Sequence, residues 1–367
     1  MLKDGSPKQK GVAIGVGNTI HQNIININSS DGILENCSLQ IDGYATPRER
    51  MHLFQKIELP STINSHLIKS NLSMAQRWIQ SAQNPDDYGL PTDDKGSESC
   101  TWASAGLLWS GWVTEGKTHD WWRKCLRWVL SQSNSDNGIP IVRKNDCSIT
   151  DATAFTLMST SIAGDEFSAT ADKLSAWILD MQNNGGWKWS SRATSYNYIS
   201  AGLALLALKT YFHVSGNKGD QIGIALHSGI KWICQNRNLD GGWGIQPHDK
   251  SRPANTGFMV YVLSALGQTN QALESLQFLQ QSFKENTGWE NSVDRPASHN
   301  VTRLGLPYTL LGLASLSPSD DRDKLLDHGF NLLLNGFSNG VYAIPDTVAR
   351  SWPTRDFIFA CSSITDN

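Results

Sequence analysis

The sequence has no long apolar run. The best candidate, Ile199 to Leu208, falls well short of the roughly 20 residues a membrane span needs and ends at Lys209, so it reads as a buried helix. The N-terminus, MLKDGSPKQKGVAIGVGN, carries basic residues without the apolar stretch of a signal peptide, and the expected location is the cytoplasm. Cysteine is sparse: the six, at 37, 100, 125, 147, 234 and 361, form no CxxC pair and match no secreted disulfide framework, so reduced thiols are expected. An excess of positive charge is also missing. Lys and Arg number 31 against 34 Asp and Glu, a net charge of -3, which gives no global reason to expect nucleic acid as a partner. There is no P-loop, no HExxH, no GxSxG and no GxGxxG following a strand. The run GVAIGVGN lacks the Lys-Ser/Thr tail of a phosphate loop.

What the chain has is tryptophan, 14 of them, placed with a period. Six segments share one pattern: a helix ending in an aromatic and an aliphatic residue, then Gln or Asn, then a Gly turn. The anchoring aromatics are Trp78, Trp128, Trp177, Trp232, Phe278 and Phe330, spaced 46 to 55 residues apart. The turn glycines Gly89, Gly138, Gly186, Gly242, Gly288 and Gly340 keep step with them. A period near 50 is the mark of a repeat architecture.

Each repeat has a second half, a helix that is apolar nearly all round: TWASAGLLWS, TDATAFTLMS, ISAGLALLALKTY, TGFMVYVLSAL, VTRLGLPYTLLGLASL and TRDFIFACSS. Such a helix must be buried on both faces. The first-half helices are amphipathic; in GIALHSGIKWICQNR the residues Ile222, Ala225, Ile230 and Ile233 form one stripe. Each repeat is therefore expected to be a helical hairpin with one outer and one inner helix. The end repeats show no polar capping face, so the six hairpins are expected to close into a ring. The expected fold is all-α, over residues 63–367. Residues 1–62 stand apart as an extension or connector, partly β or disordered. Val12, Ile14 and Val16 alternate there, as do Cys37, Leu39 and Ile41, around an Asn-rich stretch. The stretch GVAIGVGNTIHQNIININSS looks like the connector segments of bacterial conflict and signalling proteins.

The repeats, best seen in LSAWILDMQNNGGWKW and GIKWICQNRNLDGGWG, resemble the QW repeats of squalene–hopene cyclases and those of protein prenyltransferase β subunits. The resemblance implies an (α/α)6 toroid with chemistry at the mouth where the inner helices start. It also places the functional residues just before each inner helix. Cyclases of this type protonate their substrate with an aspartate of a DxDDTA motif. The matching stretch here is Ser148-Ile149-Thr150-Asp151-Ala152-Thr153, which keeps the last Asp but has Thr150 where the acid belongs. Asp151 is the first catalytic candidate. Asp146, in a frame similar to the DCT motif of oxidosqualene cyclases, is the second. Protein prenyltransferases bind zinc through Asp-x-Cys and a His; Glu98, Cys100 and His299 are the corresponding metal candidates, with His299 two places round the ring from the expected repeat.

The mouth is also rich in cations, and Arg192, His248, Arg252, Arg295, His299, Arg303 and Arg355 are candidate ligand-binding residues, with Trp102, Tyr196 and Trp352 as aromatic ones. The unpaired N–H groups of the inner-helix starts are expected to add to this field. Two readings of function follow. In one, the toroid is a recognition or regulatory module that binds a protein, a peptide or another anionic ligand at this mouth, in bacterial defence or signalling, with no cofactor. In the other, it is an isoprenoid-diphosphate enzyme of the terpene cyclase or prenyltransferase type, with zinc or magnesium.

Overall fold

The computed structural model describes residues 59–92, 98–115, 119–215, 220–284, 288–289, 306–338, 340–342 and 351–365. The expectations for residues 1–58 and for Arg295, His299 and Arg303 lie outside these residues.

Burial separates the helices into two sets. In α1 (Ser65–Ala82) the buried positions Ile68, Asn71, Leu72, Ala75 and Ile79 recur at three- and four-residue intervals, one face of a helix with solvent on the other. The chain enters it through a turn in which Ile63 N–H bonds Pro60 O, and the Asn64 side chain caps it by accepting from Leu67 N–H. α4 (Thr150–Ala163), by contrast, is buried at every position. Hydroxyls are tolerated there because they bond back along the helix, Thr153 to Ile149 O, Thr156 to Ala152 O and Thr160 to Thr156 O.

The buried set comprises α2 (Thr101–Glu115), α4, α6 (Tyr198–Ser215), α8 (Pro253–Ala265), α11 (Leu306–Ala314) and α13 (Ser351–Thr365). Each packs on the next in that order, and α13 packs on α2, closing the ring. The outer set is α1, α3 (Asp120–Ser131), α5 (Ser168–Asp180), α7 (Asp220–Gln235), the short pair α9 (Thr269–Leu273) and α10 (Leu276–Gln281), and α12 (Asp320–Asn335). Each leans on the inner helix that precedes it, α1 on α13. This is an all-helical α/α toroid, as the repeats imply.

Backbone approaches within the inner ring are close enough to require glycine. A Cβ on Gly312 of α11 would stand 2.2 Å from the Gly257 carbonyl oxygen of α8. At the outer turns, Gly185 and Gly241 have φ of 87° and 86°, and Asn137 takes the same left-handed conformation at 67°. Three turns form two-residue antiparallel ladders that the sequence did not announce. They pair Gln182 with Trp187, Phe283 with Trp289, and Phe337 with Tyr342. The turn tryptophans pack into the core: Trp187, Trp243 and Trp289 are buried, and their indole N–H groups donate to Ile178, Ile233 and Leu279 carbonyls near the ends of outer helices. Losing such a partner inside the core costs about 1–3 kcal/mol, so these bonds fix the tryptophans' orientation.

Candidate functional site

At four of the six inner-helix starts the first N–H groups are already bonded across the ring. Trp102 N–H bonds Ile141 O, Thr150 N–H bonds Trp189 O, Tyr198 N–H bonds Ile245 O and Ser351 N–H bonds Thr92 O, each carbonyl belonging to the neighbouring repeat's turn. Thr101 and Ser351 add hydroxyl bonds of 2.5 Å to Pro140 O and Pro91 O, and Thr150 one of 2.6 Å to Lys188 O. One or two of the donors at each of these four starts are thus spent on ring closure. Thr150, at the position of the cyclase acid, is part of this seam.

A second recurring device explains several acidic residues. Asp136 Oδ1 accepts from Gly138 N–H and Ser148 Oγ, and Asn134 reaches Ser148 Oγ and Asp146 O. Asp240, Gly242, Ser251, Asn238 and Asp249 repeat the arrangement, and Asp87, Gly89 and Ser99 repeat its core. Asp146 itself closes a turn by accepting from Arg143 N–H.

Chemistry concentrates one turn deeper, on the first turns of the inner helices. Asp151 of α4 is buried, at 8% exposure, and its Oδ1 accepts from Ser200 Oγ of α6 at 2.6 Å. Burial pushes its carboxyl up to about 6, against the opposing pulls of the Ser200 hydrogen bond and the Arg355 charge. Arg355 of α13 is also buried. It pairs with Asp356 through Nη2 and Nε, at 2.8 and 3.0 Å, and its guanidinium lies 4.6 Å from the Trp102 ring centre and 5.6 Å from that of Phe155. Its side chain runs across α2 at Gly106, where a Cβ would meet the guanidinium at 2.6 Å. Burial works against the Arg355 charge, but Asp356, together with Tyr308 and Cys100, raises the group overall and holds it protonated. Asp356 is in turn raised by burial despite Arg355, and accepts from the Tyr308 phenol of α11. Burial and that carboxylate raise Tyr308. Tyr308 stacks edge-on against Phe258 of α8 at 5.2 Å.

Of the residues named from sequence, the structure brings Asp151, Arg355 and Trp102 together. Arg192 and His248 are exposed, the latter in a left-handed turn with φ of 71°. Arg252 precedes α8, its N–H bonded to Trp243 O, and Tyr196 packs on the Trp232 ring at 5.5 Å. Trp352 lies on α13, where only its backbone is described. Glu98 is exposed and pairs with Arg143 at 3.3 Å. Cys100 is buried, its thiol raised by that burial and bonded to Ile141 O at 3.1 Å. Among the described residues no three His, Cys, Asp or Glu side chains gather to hold a metal, and the third candidate, His299, lies outside them. Ser200, Asp356, Tyr308 and Phe155 complete the cluster without having been singled out as binding residues.

No protein-family model matches the chain. A drimenyl diphosphate synthase of Streptantibioticus cattleyicolor is 33% identical over 97 residues, which is 25% of this chain and 18% of that protein. The match therefore spans under a fifth of the relative's length. Among solved structures, cellobiose 2-epimerase from Spirochaeta thermophila superposes with a TM-score of 0.64 at 11% identity, covering 83% of this chain and 98% of that one. The fold is that of toroidal enzymes. A type II terpene cyclase from Scytonema, in complex with its substrate geranylgeranyl dihydroxybenzoate, gives 0.59 at 12% identity over 82% and 97%. An α-1,6-mannanase from Salegentibacter, in complex with α-1,6-mannotetrose, gives 0.62 at 12% over 81% and 98%. At these identities the likeness establishes the α/α toroid alone.

Proposed function

We propose that the mouth of the toroid is a general-acid site for an isoprenoid substrate, with Asp151 as the proton donor. The observation that carries the reading is the buried Asp151 carboxyl, raised to about 6 and held through one oxygen by Ser200. A carboxylic acid kept partly protonated near neutral pH, among aromatic rings, has the properties a proton donor to a carbon–carbon double bond needs. In the proposed step the Asp151 proton passes to an alkene carbon and leaves a carbocation on its neighbour. Ser200 Oγ then stabilises the carboxylate left behind. Ring closure moves the positive charge along the chain, and loss of a proton elsewhere ends the reaction, so that product and substrate are isomers and any diphosphate is retained. The Trp102 and Phe155 faces already hold one cation, the Arg355 guanidinium, which supports their capacity to stabilise positive charge. The partial likeness to drimenyl diphosphate synthase and the shared fold with a type II terpene cyclase support the substrate class.

The test is product analysis after incubation with farnesyl and geranylgeranyl diphosphate. Wild type is expected to release a cyclised isomer, and Asp151→Asn to lose about 10²–10⁴-fold in rate. A product formed equally by Asp151→Asn would refute the assignment.

A recognition module is the second reading, favoured by two observations. Thr150, at the cyclase acid's position, is bound into the ring seam, and Arg355 with its partners fills the space between Trp102 and Phe155. In that reading the rim, with Arg192 and His248, carries a protein or peptide partner, and neither diphosphate yields product.

A further inference from the structure

Tyr308 stands on the first turn of α11 and is half-buried, whereas Arg355 and Asp356 beside it are buried. Its ring is held between Phe258 of α8, edge-on at 5.2 Å, and Phe359 of α13, tilted at 6.5 Å, which fixes the direction of the phenol. The phenol donates to Asp356. Arg355 places both Nε and Nη2 on one oxygen of that carboxylate, Oδ1, so the ion pair occupies one of its two oxygens. Tyr308 lies in the field of both carboxylates, Asp356 and, more weakly, Asp151. Arg355 pulls on both as well. Two carboxyl groups thus share one cation. When Asp151 gives up a proton and Asp356 takes one, the negative charge moves from one to the other, and the total around Arg355 is unchanged.

We propose that Tyr308, backed by Asp356, takes up the proton whose loss ends the cyclisation, a role that rests on the reading of Asp151 as the donor. A C–H bond next to the cationic carbon breaks, and its electron pair becomes the new double bond. The proton goes to the Tyr308 oxygen as the phenol's own proton passes to Asp356. A carbocation is so strong an acid that a neutral oxygen suffices to take its proton, provided the proton is handed on. Burial raises the Asp356 carboxyl and suits it to hold that proton until the product leaves. Exchange with water then returns Asp356 to its carboxylate and Asp151 to its acid. An acceptor fixed by two aromatic rings selects which C–H is lost, and therefore where the double bond lies.

Wild type and Tyr308→Phe are incubated with farnesyl and geranylgeranyl diphosphate in heavy water, and the products are identified by mass spectrometry and NMR after removal of the diphosphate. Phenylalanine keeps both ring contacts and leaves the Arg355–Asp356 pair in place. The variant is expected to keep the deuterium that Asp151 delivers, while the wild-type isomer falls about tenfold as a share of product. Isomers with the double bond elsewhere, or an alcohol from capture of the cation by water, are expected instead. Should Tyr308→Phe fail to fold, Asp356→Asn, which still accepts from Arg355 but cannot hold a proton, is expected to show the same change. Labelled products in unchanged proportions would overturn the role of Tyr308 and leave Asp151 standing. A folded Tyr308→Phe without labelled product would overturn it too, by placing the phenol in the protonation step. No product from wild type would overturn both assignments.

Discussion

Replacing Asp151 by asparagine is expected to make the protein more stable at pH 7.5, and the structure sets the size of the gain. The carboxyl is raised from 3.8 to about 6. Between these values the folded chain binds a proton that the unfolded chain has released, so stability falls as pH rises from about 4 to about 6. A shift of about two units corresponds to about 3 kcal/mol of penalty above pH 6. That net shift already contains the favourable contributions of Ser200 and Arg355. Asparagine is close in shape to the protonated acid, still accepts from Ser200 and is never charged. With an unfolding entropy of roughly 2.1 cal/mol/K per residue over about 300 folded residues, 3 kcal/mol is worth about 5 °C in Tm. Scanning calorimetry of both proteins at pH 7.5 and pH 5 reads it. The gain is expected at pH 7.5 and is expected to shrink at pH 5, where the native acid is mostly protonated. An equal gain at both pH values, or none at pH 7.5, would refute the electrostatic reasoning.

Three further outcomes follow from the packing. Arg355→Met leaves Asp356 buried and unpaired and is expected to cost about 3–5 kcal/mol in urea unfolding, most of it recovered in Arg355→Met/Asp356→Leu. Gly312→Ala places a methyl 2.2 Å from Gly257 O and is expected to cost about 3 kcal/mol, with the ring helices forced apart. Lys209 of α6 is half-buried, and the desolvation lowers its ammonium to about 8; it donates to Ala265 O at the end of α8. Its unfolded form binds the extra proton between pH 8 and 10.5, so the stability advantage of Lys209→Met over wild type is expected to shrink as pH rises across that window, as paired thermal melts would show.

The repeat is legible in the sequence because each of its marks has a local cause. The aromatics from Trp78 to Phe330 fall on outer helices, since an amphipathic period of 3.6 needs no partner to be seen. The apolar runs from Trp102 onward fall on inner helices because a helix apolar all round must be buried on both faces. The site is less legible because its members meet only through ring closure. Asp151 and Arg355 lie on the second and sixth inner helices and share a cluster because α13 returns to α2. Ser200 looks like any serine in a helical run until α6 is set beside α4. The loop residues before each helix were the expected lining. Arg192 and His248 point to solvent, however, because the turns carrying them use their backbone to cap the ring, and the functional side chains start a turn later. The Asp-x-Gly and Ser device, at Asp87, Asp136 and Asp240, holds turns rather than carrying chemistry.

The central claim, that Asp151 delivers a proton to an isoprenoid, is tested most directly by running the reaction in heavy water. Wild type and Asp151→Asn are incubated with farnesyl and geranylgeranyl diphosphate, and the products, with their diphosphate removed, are weighed by mass spectrometry. The expected result is a cyclised isomer from wild type carrying one deuterium at a carbon, and none from the variant. No product from either substrate, a product without deuterium, or a labelled product formed equally by Asp151→Asn would contradict it.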